Sequence, residues 1–199
     1  MNKKLRFLAT VAMLSALAMI IMLFDFPLPF LPSFYKIDFS ETVILLGGYV
    51  LGPVSTVIME ALKVVIKMLF KPTSTAFVGE LANFLTGVSF VLPASLIYAR
   101  RKDAKGLLIG LGVGIISMTL FGCLFNYYVL LPFYATLYKM PLDQLVAMGT
   151  AVNGGITSLF TFVTLAVAPF NIIKGVADAV VVGLIYPRLK SLLARQRQN

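Results

Sequence analysis

The chain has 199 residues, 59% of them hydrophobic and 13% charged, and a formal net charge of +9. Its mean hydropathy of +0.94 excludes an ordinary soluble domain and indicates an integral membrane protein. The chain has no histidine and a single cysteine, Cys123, so an intramolecular disulfide is excluded and a His/Cys metal cluster is not expected.

Six membrane-spanning helices are predicted, which makes the chain an all-α integral membrane protein with a single domain over residues 1–199. The predicted spans are 5–24, 41–52, 53–70, 76–99, 105–131 and 169–187. Several of them approach the roughly 20 apolar residues that cross a bilayer as a helix. The second and third are short enough to tilt or to re-enter the membrane.

Proline and glycine mark the ends of these spans. Three prolines prevent a regular helix after the first span: Pro27, Pro29 and Pro32. Gly52 and Pro53 make a tight break between the second and third spans. The last span is either one kinked helix from about residue 159 or a helix that begins at Pro169. We favour the start at Pro169, because a proline in the first turn of a helix loses no hydrogen bond.

Lysine and arginine predict the orientation. Most of them fall in three clusters: Lys3, Lys4 and Arg6; Arg100, Arg101, Lys102 and Lys105; Arg188, Lys190, Arg195 and Arg197. With six spans all three clusters lie on one side, which the positive-inside rule makes cytoplasmic together with both termini. This predicts a multi-pass protein of the cell membrane, surrounded by the lipid bilayer. No basic stripe with interleaved aromatics lies outside these loops, so nucleic acid is not an expected partner.

Five polar residues interrupt the apolar spans and fall in their outer halves: Glu80, Asn83, Asn126, Asn171 and Lys174. Charged residues within a span usually face a partner, a cavity or a pathway, because burying them in lipid is costly. Asn171, Lys174 and Asp178 follow the spacing i, i+3, i+7, which places them on one helix face. We therefore expect these residues to face a pocket that opens outward.

Structural roles are the alternative for each of these residues. Lys174 and Asp178 could form an ion pair within one helix, and Glu80 could be the counter-ion of a lysine from another span. Asparagines in spans often hold helices together by hydrogen bonds. Three charged residues of the third span are interpreted as a paired edge whose lysines snorkel toward the membrane surface: Glu60, Lys63 and Lys67.

The chemistry of the expected pocket suits a planar heterocycle with a polar tail. Asparagine offers both a donor and an acceptor to a lactam, imide or amide, and lysine adds a donor for a carbonyl or hydroxyl. Aromatic residues of the first loop could cover a flat ligand or anchor the loop at the membrane interface: Phe30, Phe34, Tyr35 and Phe39. No metal cluster, paired-carboxylate motif or phosphate loop is present, so an enzyme is not indicated and no cofactor is expected.

Small residues spaced four apart form three possible contact faces for neighbouring helices. They are Ala12 and Ala16 on the first span, Gly106, Gly110 and Gly114 on the fifth, and Gly175, Ala179 and Gly183 on the sixth. Such faces let helices approach closely. Two of the three could serve internal packing, and one could be an external docking face.

Four segments follow one another along the chain: "FPLPFLPSFYKIDFSE", "GYVLGPVSTVIMEALK", "GELANFLTG" and "APFNIIKG". In this order they resemble the riboflavin-specific substrate-binding (S) components of energy-coupling factor (ECF) vitamin transporters. The resemblance implies a six-helix bundle that holds riboflavin near its outer face. It also implies the ligand contacts: Tyr35, Lys36, Asp38, Glu80, Asn83, Asn126, Asn171 and Lys174. Alanine at Lys174 or Asn126 is then expected to weaken flavin binding and to leave folding intact.

The same resemblance supplies the partners. Ala12 and Ala16 match an alanine-rich face of the first helix that docks a transmembrane coupling protein bound to two ATPase subunits, so ATP hydrolysis would belong to the partners. Such systems are mostly found in Gram-positive bacteria. The alternatives are an S component for another vitamin, a secondary transporter driven by an ion gradient, and a membrane-embedded enzyme of lipid metabolism. No internal repeat of the kind common in secondary transporters is evident.

Overall fold

Helices account for nearly all of the fold. The computed structural model describes residues 2–29, 31, 35–73 and 75–196, with side chains as far as residue 188. The helices are α1 (Lys3–Met22), α2 (Ser40–Leu51), α3 (Pro53–Phe70), α4 (Val78–Arg100), α5 (Ala104–Phe125), α6 (Leu131–Leu137), α7 (Leu142–Thr150), α8 (Leu159–Phe162) and α9 (Ala168–Gln196). Two short strands, β1 (Phe26–Pro27) and β2 (Lys36–Ile37), pair antiparallel in the loop between α1 and α2.

Four helical segments of the described residues are long and apolar enough to cross a membrane. They are Lys3–Met22, Val78–Arg100, Ala104–Leu137 and Leu159–Arg188. α2 is apolar but shorter, and α3 carries three charged residues. The break between α2 and α3 is at Gly52, whose φ of +99° favours glycine, and Pro53 begins α3. The helical membrane protein predicted from composition is confirmed.

The last long helix begins earlier than the favoured prediction. Instead of starting at Pro169, the chain becomes helical at Leu159 and passes through a π-helical turn, Val163–Val167, directly into α9. Ser158 caps the start, accepting a hydrogen bond from the backbone N–H of Thr161. The π-helical turn lies where Pro169 has no N–H to donate to the preceding turn, so the helix continues past the proline. The favoured start at Pro169 is therefore wrong, and the alternative prediction of one helical segment from about residue 159 is correct.

A second π-helical turn, Asn126–Leu130, joins α5 to α6. It extends the helical segment that begins at Ala104 to Leu137, beyond the predicted end near residue 131. The connection that follows is also partly helical, since α7 lies within it. Both π-helical turns lie close to the polar residues of the spans, and π-helical turns frequently occur at functional sites.

Two of the small-residue faces pack against the chain itself. A Cβ atom on Gly110 would lie 2.6 Å from the carbonyl oxygen of Ala94, and one on Gly114 equally close to that of Phe90, so α5 lies directly on the backbone of α4. Gly175 of α9 packs against side chains of α5 in the same way. On α1, by contrast, Ala12 is exposed and Ala16 half-buried.

Candidate ligand-binding site

A cavity of about 510 Å³ lies at one end of the bundle. Its walls come from the loop before α2, the end of α3, the first half of α4, the end of α5 and the part of α9 around Asn171. This volume is in the range of small-molecule sites. The cavity is lined by every ligand contact that the sequence predicted: Tyr35, Lys36, Asp38, Glu80, Asn83, Asn126, Asn171 and Lys174. Ala12 and Ala16 lie away from it on α1. Phe30 and Phe34 lie outside the described residues.

Two asparagines form an amide-lined wall. Asn126 donates from Nδ2 to the carbonyl of Gly122 at 2.8 Å and accepts the hydroxyl of Tyr35 at Oδ1, also at 2.8 Å. Asn171 donates from Nδ2 to the carbonyl of Val167 at 2.9 Å. Among the described residues nothing donates to Oδ1 of Asn171, so that oxygen is available to a ligand. Each side-chain NH₂ group also has a second hydrogen.

Gly122 allows this wall to form. A Cβ atom at Gly122 would lie 2.7 Å from Nδ2 of Asn171, so a larger residue would displace the asparagine. Tyr35 closes the wall from the first loop, with its ring 5.1 Å from that of Phe170. Burial raises the pKa of the Tyr35 phenol, which keeps the hydroxyl a neutral donor to Asn126.

Asn83 presents a buried acceptor from α4. Its Oδ1 atom is inaccessible to solvent and has no hydrogen-bond partner among the described residues. Leaving a buried amide oxygen unpaired costs about 1–3 kcal/mol. Asn83 lines the cavity, but a ligand donor could reach this oxygen only if the side chain turned toward the cavity.

Lys174 is held by two carboxylates from the start of α2 and the loop before it. Its Nζ atom lies 3.1 Å from Oδ2 of Asp38 and 3.2 Å from Oε1 of Glu41. The ion pair with Asp178 that the spacing allowed does not form: Oδ1 of Asp178 accepts the hydroxyl of Thr42 at 2.7 Å, and Oδ2 has no hydrogen-bond partner among the described residues. Burial by itself would raise the pKa of Asp38, but the ammonium groups of Lys174 and Lys63 hold it below its usual range.

The predicted snorkelling edge of α3 is wrong, although two of its residues are paired. Lys63 and Glu60 are both 0% exposed, and Nζ of Lys63 lies 2.8 Å from Oε2 of Glu60. Lys63 also lies 3.2 Å from Oε1 of Glu41, so it points into the bundle rather than toward the membrane surface. Lys67, one turn further along α3, is half-buried and lines the cavity. Lys63 points inward because Glu41 of α2 offers it a carboxylate. The sequence of α3 alone does not reveal that partner.

Together these groups form what we call the buried ionic cluster. Its members are two lysines and four carboxyl groups, each buried: Lys63, Lys174, Asp38, Glu41, Glu60 and Asp178. Buried charges are tolerated when they are paired and hydrogen-bonded. The cluster therefore places charge next to the cavity without leaving the lysines unpaired.

The rim of the cavity carries the remaining predicted contacts. Lys36 forms a half-exposed ion pair with Asp25 at 3.2 Å. Glu80 accepts the hydroxyls of Thr73 at 2.8 Å and Thr75 at 3.0 Å. Both hydroxyls donate to Oε2 of Glu80, and no lysine of another span lies within ion-pair distance of that carboxylate among the described residues.

Sequence reasoning missed several lining residues, of which Glu41 is the most notable. It follows Asp38 by three residues at the point where α2 begins, a signal that could have marked it. Met118, Leu130, Tyr134 and Phe170 supply apolar and aromatic lining. Nothing separates these four from ordinary span residues in the sequence, because their role depends on which helix face meets the cavity.

Fold and cavity define a helical membrane protein with a small-molecule site at one end. The family model described as "ECF transporter, substrate-specific component" matches residues 6–186. The chain therefore belongs to the substrate-specific components of ECF transporters, a family of substrate-binding transporter subunits rather than enzymes. The resemblance found in the sequence is confirmed.

Individual relatives cover nearly the whole chain. Riboflavin transporter FmnP of Bacillus subtilis (strain 168) is 35% identical over 195 residues, which cover 98% of this chain and 97% of that protein. Riboflavin transporter RibU of Staphylococcus aureus (strain TCH60) is 36% identical over 194 residues, covering 98% and 94%. A solved structure titled "Structure and mechanism of the S component of a bacterial ECF transporter" is 34% identical, with a TM-score of 0.75 over 96% of this chain and 99% of that one.

Proposed function

We propose that this chain is the high-affinity riboflavin-binding component of an ECF transporter, which captures the vitamin at the outer face and delivers it inward when coupled to an ATPase module. The observation that carries the proposal is the cavity, where amides, an ammonium group and aromatic rings from distant parts of the chain meet. The names of the relatives from Bacillus subtilis and Staphylococcus aureus support riboflavin as the ligand.

Riboflavin complements this lining. The flavin ring is planar and presents two carbonyls and an imide N–H, while its ribityl tail carries hydroxyls. Oδ1 of Asn171 is an acceptor for the imide N–H, as Oδ1 of Asn83 would be if that side chain turned toward the cavity, and the ammonium group of Lys174 is a donor for a carbonyl. Tyr35 and Phe170 offer aromatic contact to the ring. Lys36, Asp38, Glu80 and Asn126 supply further polar groups for the tail or the ring.

The proposed topology has six membrane-spanning segments, formed by α1, α2, α3, α4, α5 with α6, and α8 with α9. In this topology α2 and α3 each cross the membrane, although α2 has only 12 residues. The cation clusters at the start of α1 and around the α4–α5 connection lie at the end of the bundle opposite the cavity, which is lined by the last residue of α1 and the first half of α4. By the positive-inside rule this end is cytoplasmic, both termini are inside, and the cavity opens outward.

The proposed partners are a transmembrane coupling protein and two ATPase subunits, in the cell membrane of a Gram-positive bacterium. The exposed Ala12 and the half-buried Ala16 support docking through α1.

Replacing Ala12 with leucine is expected to reduce co-purification of the ATPase module and to leave riboflavin affinity unchanged. Val176→Leu, at an exposed position of α9, is the matched control. Equal co-purification of both variants would contradict docking through α1.

The decisive experiment is the absorption spectrum of the protein purified in mild detergent without added ligand. Flavin bands that persist through washing would support tight capture of riboflavin. Titration of added riboflavin, followed by quenching of its fluorescence, then gives the affinity. A colourless protein that does not quench riboflavin would contradict this ligand. Binding of a different vitamin would then identify another S-component specificity, while uptake driven by an ion gradient without ATPases would indicate a secondary transporter.

A further inference from the structure

Glu41 connects two buried lysines that come from different helices. Its Oε1 atom accepts from Nζ of Lys63 on α3 and from Nζ of Lys174 on α9, each at 3.2 Å. Its other oxygen, Oε2, accepts the hydroxyl of Ser40 at 3.1 Å. Glu41 is 1% exposed, so water does not screen these contacts.

A shared carboxylate is the reason why both lysines can lie there. Because each ammonium group contacts the same oxygen, the two positive charges are at most two contact lengths apart and would repel each other without the carboxylate between them. Glu41 lies in the first turn of α2, where the backbone N–H groups favour a negative charge. The position of the Lys174 ammonium is thus determined from α2 as well as from α9.

Charged and hydrogen-bonded neighbours hold Glu41 in turn. Ser40 accepts from Nζ of Lys63 at 3.1 Å, and Lys63 lies between Glu41 and Glu60. Glu60 has its ionic contact with Lys63 and none with Lys174. It is therefore one step further from the cavity lysine than Glu41 is, which makes it a matched control on the same network.

We propose that Glu41 is a positioning residue for the ligand, acting through Lys174 by fixing the ammonium group at the cavity wall. The inference rests on the proposed function, since it concerns the binding of riboflavin. The role is indirect, because the Glu41 carboxylate is occupied by two lysines and a serine. It gives α2 a part in ligand recognition that the sequence did not suggest.

A double-mutant cycle tests this inference. Riboflavin affinity is measured by fluorescence quenching for the wild type, Glu41→Gln, Lys174→Met and the double variant. Glu41→Gln is expected to weaken binding about tenfold, the effect of losing one charge-assisted hydrogen bond. In the Lys174→Met background the same substitution is expected to change affinity by less than about twofold, because coupled residues are not additive. Glu60→Gln is expected to weaken binding by less than about threefold.

The visible absorption band of the bound flavin separates positioning from a general effect on stability. A displaced ammonium group changes the electrostatic field at the flavin ring, so Glu41→Gln should shift the band and Glu60→Gln should not. The double variant should have the spectrum of Lys174→Met. If Glu41→Gln does not fold, Glu41→Asp, which keeps the charge on a shorter side chain, replaces it in the cycle.

Two outcomes overturn different statements. Additive losses in the double variant, or an unchanged affinity in Glu41→Gln, overturn the positioning role and leave riboflavin binding intact. A wild-type protein that does not bind riboflavin overturns the proposed function, and the role of Glu41 in recognising it falls with it.

Discussion

The two ends of the helical bundle differ in what occupies the space between the helices. At the end away from the cavity, Gly110 and Gly114 bring α5 onto the backbone of α4, and Phe90 and Ala94 are completely buried there. At the cavity end, a space of about 510 Å³ is lined by asparagines and by three members of the buried ionic cluster: Asp38, Glu41 and Lys174. Small residues therefore remove space at one end, while polar residues, several of them paired with one another, line the space at the other.

This contrast suggests a division between stability and binding. Close packing contributes dispersion contacts wherever the helices touch, which favours the folded bundle. Buried ion pairs contribute little net stability, because desolvation offsets their attraction. Mutations at the two ends should therefore separate the free energy of unfolding from ligand affinity, and the following predictions are ordered from the largest expected effect to the smallest.

Lys174→Ala should have the largest effect on binding. It removes the ammonium group from the cavity and leaves Asp38 and Glu41 without one partner, so riboflavin affinity should fall by about 100-fold or more. The sequence alone predicted that folding would stay intact. Because Lys174 pairs with Asp38 and Glu41 inside the bundle, we now expect the thermal midpoint of the ligand-free protein to fall as well. Lys105→Ala, at an exposed position near the start of α5 and away from the cavity, is the control and should leave both the affinity and the thermal midpoint nearly unchanged. Unchanged affinity in both Lys174→Ala and Asn126→Ala would contradict the pocket assignment.

Gly110→Ala tests the packed end. The new Cβ atom would lie 2.6 Å from the carbonyl oxygen of Ala94, so α4 and α5 must separate. Overpacking of this kind costs about 1–3 kcal/mol in the free energy of unfolding. Riboflavin affinity of the folded protein should not change.

Gly112→Ala is its matched control on the same helix. A Cβ atom at Gly112 meets nothing within 4 Å, so stability should be unchanged or slightly higher. Equal destabilisation by the two alanines would refute the packing argument, and a loss of affinity in Gly110→Ala would show that the two ends are coupled.

Asn126→Ala should weaken riboflavin binding about tenfold, the effect of one lost hydrogen bond of about 1.4 kcal/mol. It also removes the acceptor of the Tyr35 hydroxyl. Tyr35→Phe distinguishes the two contributions, because it removes the hydroxyl and keeps the amide. If both variants lose the same affinity, Asn126 acts by holding Tyr35 rather than by contacting the ligand.

The smallest expected effect concerns Asp103, outside the membrane-spanning helices. Its half-exposed carboxylate accepts the backbone N–H of Gly106 at 2.7 Å and the side chain of Arg101, and these contacts hold its pKa below the usual value. A depressed pKa in the folded protein means that this stabilisation is present at neutral pH and is lost as the pH falls through that pKa. The thermal midpoint of wild type should therefore approach that of Asp103→Ala in acid.

Asp103→Asn provides the control, since asparagine also caps a helix but does not titrate. Its thermal midpoint should lack the Asp103 component of the acid dependence. An identical acid dependence in wild type and Asp103→Asn would exclude a measurable contribution from this cap.

Much of the candidate site could be predicted because polar residues within apolar spans are conspicuous. Asn83, Asn126, Asn171 and Lys174 stand out for that reason, and the cavity is lined by all four. Lys63 was misassigned although it is equally conspicuous. A lysine in a span can reach the membrane surface or an internal carboxylate, and its own sequence neighbours do not distinguish the two. The same limit applied to the helix at Pro169, because the missing N–H is compatible both with the start of a helix and with a π-helical turn inside one.

The sequence by itself determined the membrane environment, the breaks at Gly52 and Pro53, and the polar residues that had to find partners, because hydropathy and backbone geometry are local properties. It also carried the motifs that identify the ECF family. Only the tertiary structure decided the partners: Lys174 with Asp38 and Glu41 rather than with Asp178, and Lys63 with Glu41 as well as Glu60. The physical reason is that an ion pair depends on distances between helices, and these follow from how every side chain packs.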